Sequence, residues 1–437
     1  MIRAPMRTLA FTGALLLAAL PARAVEIETV TGPETGVEAL LVEDRTNPIV
    51  TLRIAFPSGA LIEREGEEGL VNLLSAMLDE GAGDLDAAAF QDRLDRLGVR
   101  FFASSGAEGF RVGVSALEDR FDEAVDLLAD ALAEPSFDAE PLARMKRQIV
   151  SSLTASRATP RAQAGARVRE LIWGDHPYAR DTDGEPAVIA AATADDLEAM
   201  RERLFVRDGT AVAAVGAIDA EGLAGAVDTV FARLAERGDA DPVPPASPNF
   251  GLDETLTLPT GQASIRVTLP APSREDDDFF AAYLVNHVLG GGTFTSRLYD
   301  ELREKRGLTY GASSGISTRE GAATWSASVA TRPDNVEEAR AILLDEIERM
   351  AADGPTREEL DAAKAFVTGS YAINNLDSSG AVAGVLLGIQ EYDLGLDYIT
   401  AREALIDAVT VEDARRVAAR YLGAEPTIIT VLPEGEG

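Results

Sequence analysis

In the stretch ELREKRGLTYGASSG, residues 301–315, Arg303 and Tyr310 stand seven residues apart around a Gly-Leu turn. A guanidinium is a planar fork of N–H donors and a phenol carries a single O–H donor, so the pair is equipped to hold oxygen acceptors. A plainer reading is a surface-helix arginine beside a strand-packed tyrosine. A related stretch, DRLDRLGVRFFASSG at 92–106, has other residue types at these two places.

Few other residues are spaced for chemistry. His176 and His287 are the only histidines, in different halves of the chain, and neither belongs to an H-x-x-x-H or H-x-x-E-H pattern. With no cysteine in the chain, a zinc site would need an unusual number of carboxylates. A thiol nucleophile is excluded by the same absence of cysteine. Gly290, Gly291 and Gly292, followed by Thr293, would let a bound chain or phosphate approach the backbone, or simply end a helix. They lack the Lys-Ser/Thr of a phosphate loop. The acidic run REDDDFF at 274–280 reads as a solvated helix start matched to the helix dipole.

The elements that must position these residues occur twice. In the first half, GLVNLLSAML (69–78) reads as a buried helix, 87–97 as another, and GFRVGVSAL (109–117) as a strand with alternating apolar residues. A helical pattern from Phe121 to Leu132 then stops before Pro135. The second half repeats the order with AAYLVNHVLGGG (281–292), the ASSG turn, the strand ATWSASVAT (323–331) and a helix from about Val336 to Met350. Thr193 and Thr410 each have an aspartate three residues on, as in a capping box, and each leads into an apolar strand near the end of its half. The expected fold class is therefore α+β, with two homologous duplicated domains, each an antiparallel-rich sheet with packed helices. Residues 25–235 and 252–437 are the expected domains, and the proline-rich stretch 236–251 the linker.

Residues 1–24 carry Arg3 and Arg7, an apolar run and a small-x-small site ending at Ala24, the layout of a secretory signal peptide. The expectation is export to the periplasm and no membrane span in the mature chain, since the apolar run is shorter than the roughly 20 residues a span needs. Without that segment the net charge is −36 (37 basic against 73 acidic residues), which repels phosphate backbones and argues against nucleic acid as a partner. Apolar residues make up 46% of the chain, enough to bury cores without disulfides.

With the duplication in hand, GLVNLLSAMLDEG, WGDHPYAR, VLGGGTFTSRL and above all LREKRGLTYGASSG together resemble the insulinase and pitrilysin family of zinc metallopeptidases, in its processing-peptidase-like branch. The resemblance covers almost the whole mature chain. It implies a two-domain half-shell that encloses a chamber with a partner. The family carries H-x-x-E-H in the helix written here as GLVNLLSAML, which places Asn72 and Ala76 at the histidine positions and Ser75 at that of the general base. The third ligand, a glutamate in the family, falls at or near Ser152. The resemblance thus implies no metal and no cofactor in this chain. The family's later domain carries an arginine and a tyrosine that reach across to the zinc-bearing domain and contact substrate at the scissile bond, kept here as Arg303 and Tyr310. It further implies a homologous H-x-x-E-H partner subunit holding the zinc, peptide substrates, and a channel lined by Gly290, Gly291, Gly292 and Thr293. Activity is then expected only in the heterodimer. The alternative is a catalytically inert structural or peptide-binding family member.

Overall fold

The computed structural model describes residues 26–434, and the expected signal peptide lies outside them. Two sheets carry the chain. The first has the strand order Glu28–Thr31, Glu38–Glu43, Ala211–Gly216, Ile49–Phe56, Phe110–Leu117, Arg100–Ser105. The second runs Asp253–Leu258, Thr427–Pro433, Ala263–Pro270, Ala323–Thr331, Ala312–Thr318. Apart from the added first strand, the two orders are the same. In each, one parallel pair joins an early strand to the last one, and every other pair is antiparallel. Both ASSG repeats lie at an edge: the first ends the edge strand Arg100–Ser105, and the second opens the edge strand Ala312–Thr318. Repetition of the words is repetition of a sheet margin.

Helices fall close to where periodicity places them, at Leu70–Met77, Ala87–Leu97, Phe121–Ala133 and Val336–Asp353. Thr193 and Thr410 both close full capping boxes, with Asp196 and Asp413. Each half buries its own core, one around Phe56, Phe90 and Phe110, the other around Trp325, Leu302 and Met350.

Each sheet's other face is covered by a helix from the opposite half. Ser379–Glu391 lies on the first sheet, burying Val382, Leu386 and Leu387 against Leu40, Ala55, Ala213 and Val215. Gln390 clamps Val212 at both its backbone N–H (3.2 Å) and its carbonyl (2.9 Å). In return, Pro160–Trp173 brings Val168, Ile172 and Trp173 against Ile429 of the second sheet. The proline-rich stretch is pinned beside this helix: Asn249 N–H donates to the Ile172 carbonyl at 2.7 Å, and His176 meets the Pro244 carbonyl at 2.8 Å. Tyr178 hydrogen-bonds Glu108 and accepts from the Gly321 N–H at 3.0 Å, joining the halves a third time.

One sequence expectation is corrected here. The acidic run does start a helix, Phe279–Asn286, with Glu275 and Asp277 exposed, but Asp278 is not solvated: it is buried and ion-paired with Arg416 (2.7 Å) and Arg420 (2.9 Å). Those arginines, one turn apart on the helix Val411–Leu422, neutralise it.

The helix Leu70–Met77 is held at its start by a buried carboxylate. Glu63 Oε1 accepts from the Gly69 N–H (3.0 Å) and the Val71 N–H (2.8 Å). Burial nevertheless pushes its carboxyl up to about 7, outweighing those two donors. The folded-state value lies above the unfolded one, so the native chain holds an extra proton between about pH 4.5 and 7, and stability falls as pH rises through that window. A glutamine amide in its place would accept the same two N–H groups without ionising. Glu63→Gln is expected to remove on the order of 2–3 kcal/mol of this loss. Thermal melts from pH 4.5 to 8 check it: the wild-type melting temperature should fall across the window and the variant's much less.

Candidate functional site

Arg303 lies in a π-helical turn, Asp300–Glu304, that ends at Gly307, whose φ of +63° lets the chain reverse. The Gly307 N–H bonds the Arg303 carbonyl and the Leu308 N–H the Leu302 carbonyl, both at 2.9 Å. The turn thus brings Arg303 back to Tyr310, whose carbonyl accepts from Arg303 Nη1 at 3.1 Å. The guanidinium also lies over the ring of Tyr299, 5.1 Å from its centroid. Lys305 and Arg306 in the same turn are engaged by Glu301. Among the described residues, the carboxylate within ion-pair distance of Arg303 is that of Glu304, at 3.9 Å, so its charge is the least neutralised of the turn.

Tyr310 sits between two fixed neighbours. The Thr309 hydroxyl reaches the Ala330 carbonyl at 2.6 Å and accepts from the Gly311 N–H at 3.0 Å, which ties this backbone to the next strand. The Tyr310 side chain projects outward and is 88% exposed, unusual for a residue with so much apolar area. Phe294, 72% exposed, packs edge-on against Tyr299 at 5.2 Å. Arg303, Tyr310 and Phe294 are linked by contacts to one another or to Tyr299 and form one aromatic and cationic rim beside the second ASSG edge.

The triglycine supports this rim by close approach. A Cβ on Gly290 would stand 2.5 Å from the Ser314 N, one on Gly291 2.6 Å from Asn286 Nδ2, and one on Gly292 2.7 Å from the His287 carbonyl. Asn286 Oδ1 accepts from Ser314 Oγ (2.7 Å) and Trp325 Nε1 (2.9 Å), fastening this helix end to the edge strand. Gly291 and Thr293 are exposed, and Thr293 has a φ of +44°, a rare conformation for a β-branched residue. Arg297 then anchors the segment to the helix Arg357–Gly369 through a bidentate pair with Glu359, both contacts 2.7 Å. Burial alone would raise the Glu359 carboxyl, but the hydrogen bonds from Arg297 and Thr356 prevail and hold it at about 2. The Arg297–Glu359 anchor joins residues remote in sequence, and no local pattern signals it.

The first half offers different groups. Asn72 donates to the Asp183 carbonyl at 2.9 Å, and the Ser75 hydroxyl bonds back to the Asn72 carbonyl at 2.8 Å. Ala76 presents a methyl group, and Ser152 is exposed on the helix Ala139–Arg157. An amide, two hydroxyls and a methyl do not make a zinc ligand set. Among the described residues, no three His, Cys, Asp or Glu side chains are grouped to hold a metal ion. His176 serves the fold, its Nδ1 accepting from the Tyr178 N–H at 3.1 Å. No described helix is long and apolar enough to cross a membrane.

Two family descriptions match in sequence: Insulinase (Peptidase family M16) over residues 38–184 and Peptidase M16 inactive domain over residues 191–367. The chain belongs to the M16 peptidase family. It is 25% identical to an uncharacterized zinc protease of Streptomyces coelicolor, over 86% of this chain and 83% of that protein. To the non-peptidase homolog YmxG of Helicobacter pylori it is 23% identical, over 78% of each. The crystal structure of a peptidase M16 inactive domain from Pseudomonas fluorescens superposes with a TM-score of 0.87 at 27% identity, covering 94% of this chain and 98% of that one. This member has the M16 fold without the zinc motif.

Proposed function

We propose that this chain is the non-zinc subunit of an exported, periplasmic heterodimeric metallopeptidase, and that Arg303 and Tyr310 complete the active site of a homologous partner carrying H-x-x-E-H. The observation that carries this reading is the pairing of a dismantled metal position with an intact, outward-facing Arg303–Tyr310 rim. Asn72, Ser75, Ala76 and Ser152 are spent on other contacts or are chemically unfit. Tyr310 is fixed in backbone and free in side chain, as a donor to another chain's substrate must be.

In that complex the partner supplies the metal chemistry. This chain's guanidinium at Arg303 holds a backbone carbonyl of the peptide, and the Tyr310 hydroxyl donates to the carbonyl under attack as charge builds on its oxygen. The strand Ala312–Thr318 beside Tyr310 is an edge of its sheet, a place where an extended peptide can add. Of Gly290 to Thr293, the exposed Gly291 and Thr293 would border the peptide's path, with Gly290 and Gly292 buried behind them. A catalytically inert role, the alternative that the name non-peptidase homolog of the Helicobacter pylori relative brings forward, would leave the rim without a catalytic purpose.

Arg303→Ala should act on ground-state binding and appear as an increase in KM larger than the decrease in kcat. Steady-state cleavage by the reconstituted complex, with subunit stoichiometry followed by native mass spectrometry, checks this. An unchanged KM in an intact one-to-one complex would remove the arginine from the site.

A further inference from the structure

Four arginines converge in a cleft that the Arg303–Tyr310 site does not use. It lies between the helix Pro160–Trp173 of the first half and the outer face of the second sheet, and has a volume of about 850 Å³. Arg161 and Arg169 come from the helix, Arg266 from the central strand and Arg319 from the hairpin end, with Ser264 and Ser328 on the floor. No aspartate or glutamate lines the cleft, in a chain with 73 acidic residues against 40 basic ones.

The charges are left open. Among the described residues, Arg161, Arg266 and Arg319 have no carboxylate within ion-pair distance. Arg169 is 3.6 Å from Asp181, and its buried Nε has no hydrogen-bond partner. Arg319 is immobilised over Trp173 (5.2 Å to the centroid) and Tyr178 (4.6 Å), an arrangement that fixes the plane and leaves N–H edges for a ligand. Burial, and then Arg161 beside it, draw the Arg266 guanidinium below its usual range. The start of the helix, capped by Thr159, adds its positive dipole end to the same cleft.

The duplication supplies an internal contrast. Arg53 occupies the matching place in the first sheet's central strand, but it stacks on Phe102 at 4.3 Å under the covering helix, with Gly380 against its guanidinium. Arg266 has neither an aromatic nor an acid. Unpaired like charges held together cost free energy unless a ligand neutralises them.

We propose that this cleft binds the carboxylates of an extended peptide, with Arg161, Arg266 and Arg319 as the anchoring groups. The ligand class rests on the peptidase-subunit reading above. The cleft is far larger than one inorganic anion, and its floor mixes hydroxyls with the apolar Val168, Ile429 and Val431, as a peptide strand would require. A strongly acidic surface repels such a peptide elsewhere, so binding here must come from the local cluster.

The test uses the mature chain without any partner. Fluorescence anisotropy would follow a labelled Ser-Glu repeat peptide with a free C-terminus, its C-terminally amidated form and its Ser-Gln counterpart. The wild type should bind the acidic peptide, and Arg161→Gln/Arg266→Gln should weaken it about tenfold or more. Arg161→Gln alone, at an exposed first turn, should weaken it in the same direction and guards against a folding defect. A loss specific to the amidated form assigns the terminal carboxylate, and a loss specific to the Gln form assigns the side chains. No binding by the wild type, equal affinity of wild type and variants, or equal affinity for all three peptides overturns the proposal while leaving the trans site to its own assay.

Discussion

Tyr310→Phe in the reconstituted heterodimer is expected to lower kcat by about 10²–10³, or roughly 2.7–4 kcal/mol of transition-state stabilisation. The substitution removes one hydroxyl from a side chain that is 88% exposed and whose hydroxyl has no partner among the described residues, so folding and assembly should be untouched. KM should change little, because in the proposed role the phenol acts on charge that develops only as the carbonyl is attacked. Arg303 keeps its bond to the Tyr310 carbonyl in the variant, so the turn survives. Full turnover by Tyr310→Phe, with zinc content and dimer mass unchanged, would mean that the tyrosine touches no reacting atom.

Leu386→Ala should destabilise the whole chain by about 2–5 kcal/mol. Leu386 is fully buried, and its helix belongs by sequence to the second half while its contacts lie on the first sheet. Its loss should therefore lower the stability of both halves together. Two-state analysis of urea unfolding, followed by tryptophan emission and by far-ultraviolet dichroism, measures this. Trp325 reports from the second core, Trp173 from the junction of its helix with the second sheet, and dichroism from both halves, so one shared transition that moves as a unit is expected. Two separated transitions, with only one displaced, would contradict the coupling.

What could be read from sequence follows the range over which the determining contacts act. The Arg303–Tyr310 turn is local: a glycine at 307 and seven residues suffice to join them, and the spacing carries that information. Capping boxes at Thr193 and Thr410 and the alternation in Phe110–Leu117 are local too. The exchanged helices were not legible, because an apolar stretch such as SGAVAGVLLGIQE shows that it is buried and not which sheet buries it. Asp278 was misread for the same reason. Its partners Arg416 and Arg420 lie in the last helix, and without them an acidic run looks solvated. The arginine cleft had one available signal, the repeated strand pattern of Leu52-Arg53-Ile54 and Ile265-Arg266-Val267, in which an arginine stands between two buried residues. Only the three-dimensional arrangement distinguishes the stacked arginine from the unpartnered one.

The central claim is that this chain contributes catalytic groups to another subunit's metal site. Its most direct measurement is peptide cleavage by the tagged mature chain, assayed once after purification alone and once after the H-x-x-E-H homologue of the same host is added in equal amount. The account predicts no cleavage and no stoichiometric zinc for the chain alone, and chelator-sensitive cleavage with one zinc per heterodimer after mixing. Tightly held zinc and cleavage by the chain alone, or a partner whose activity is indifferent to its addition, would contradict it.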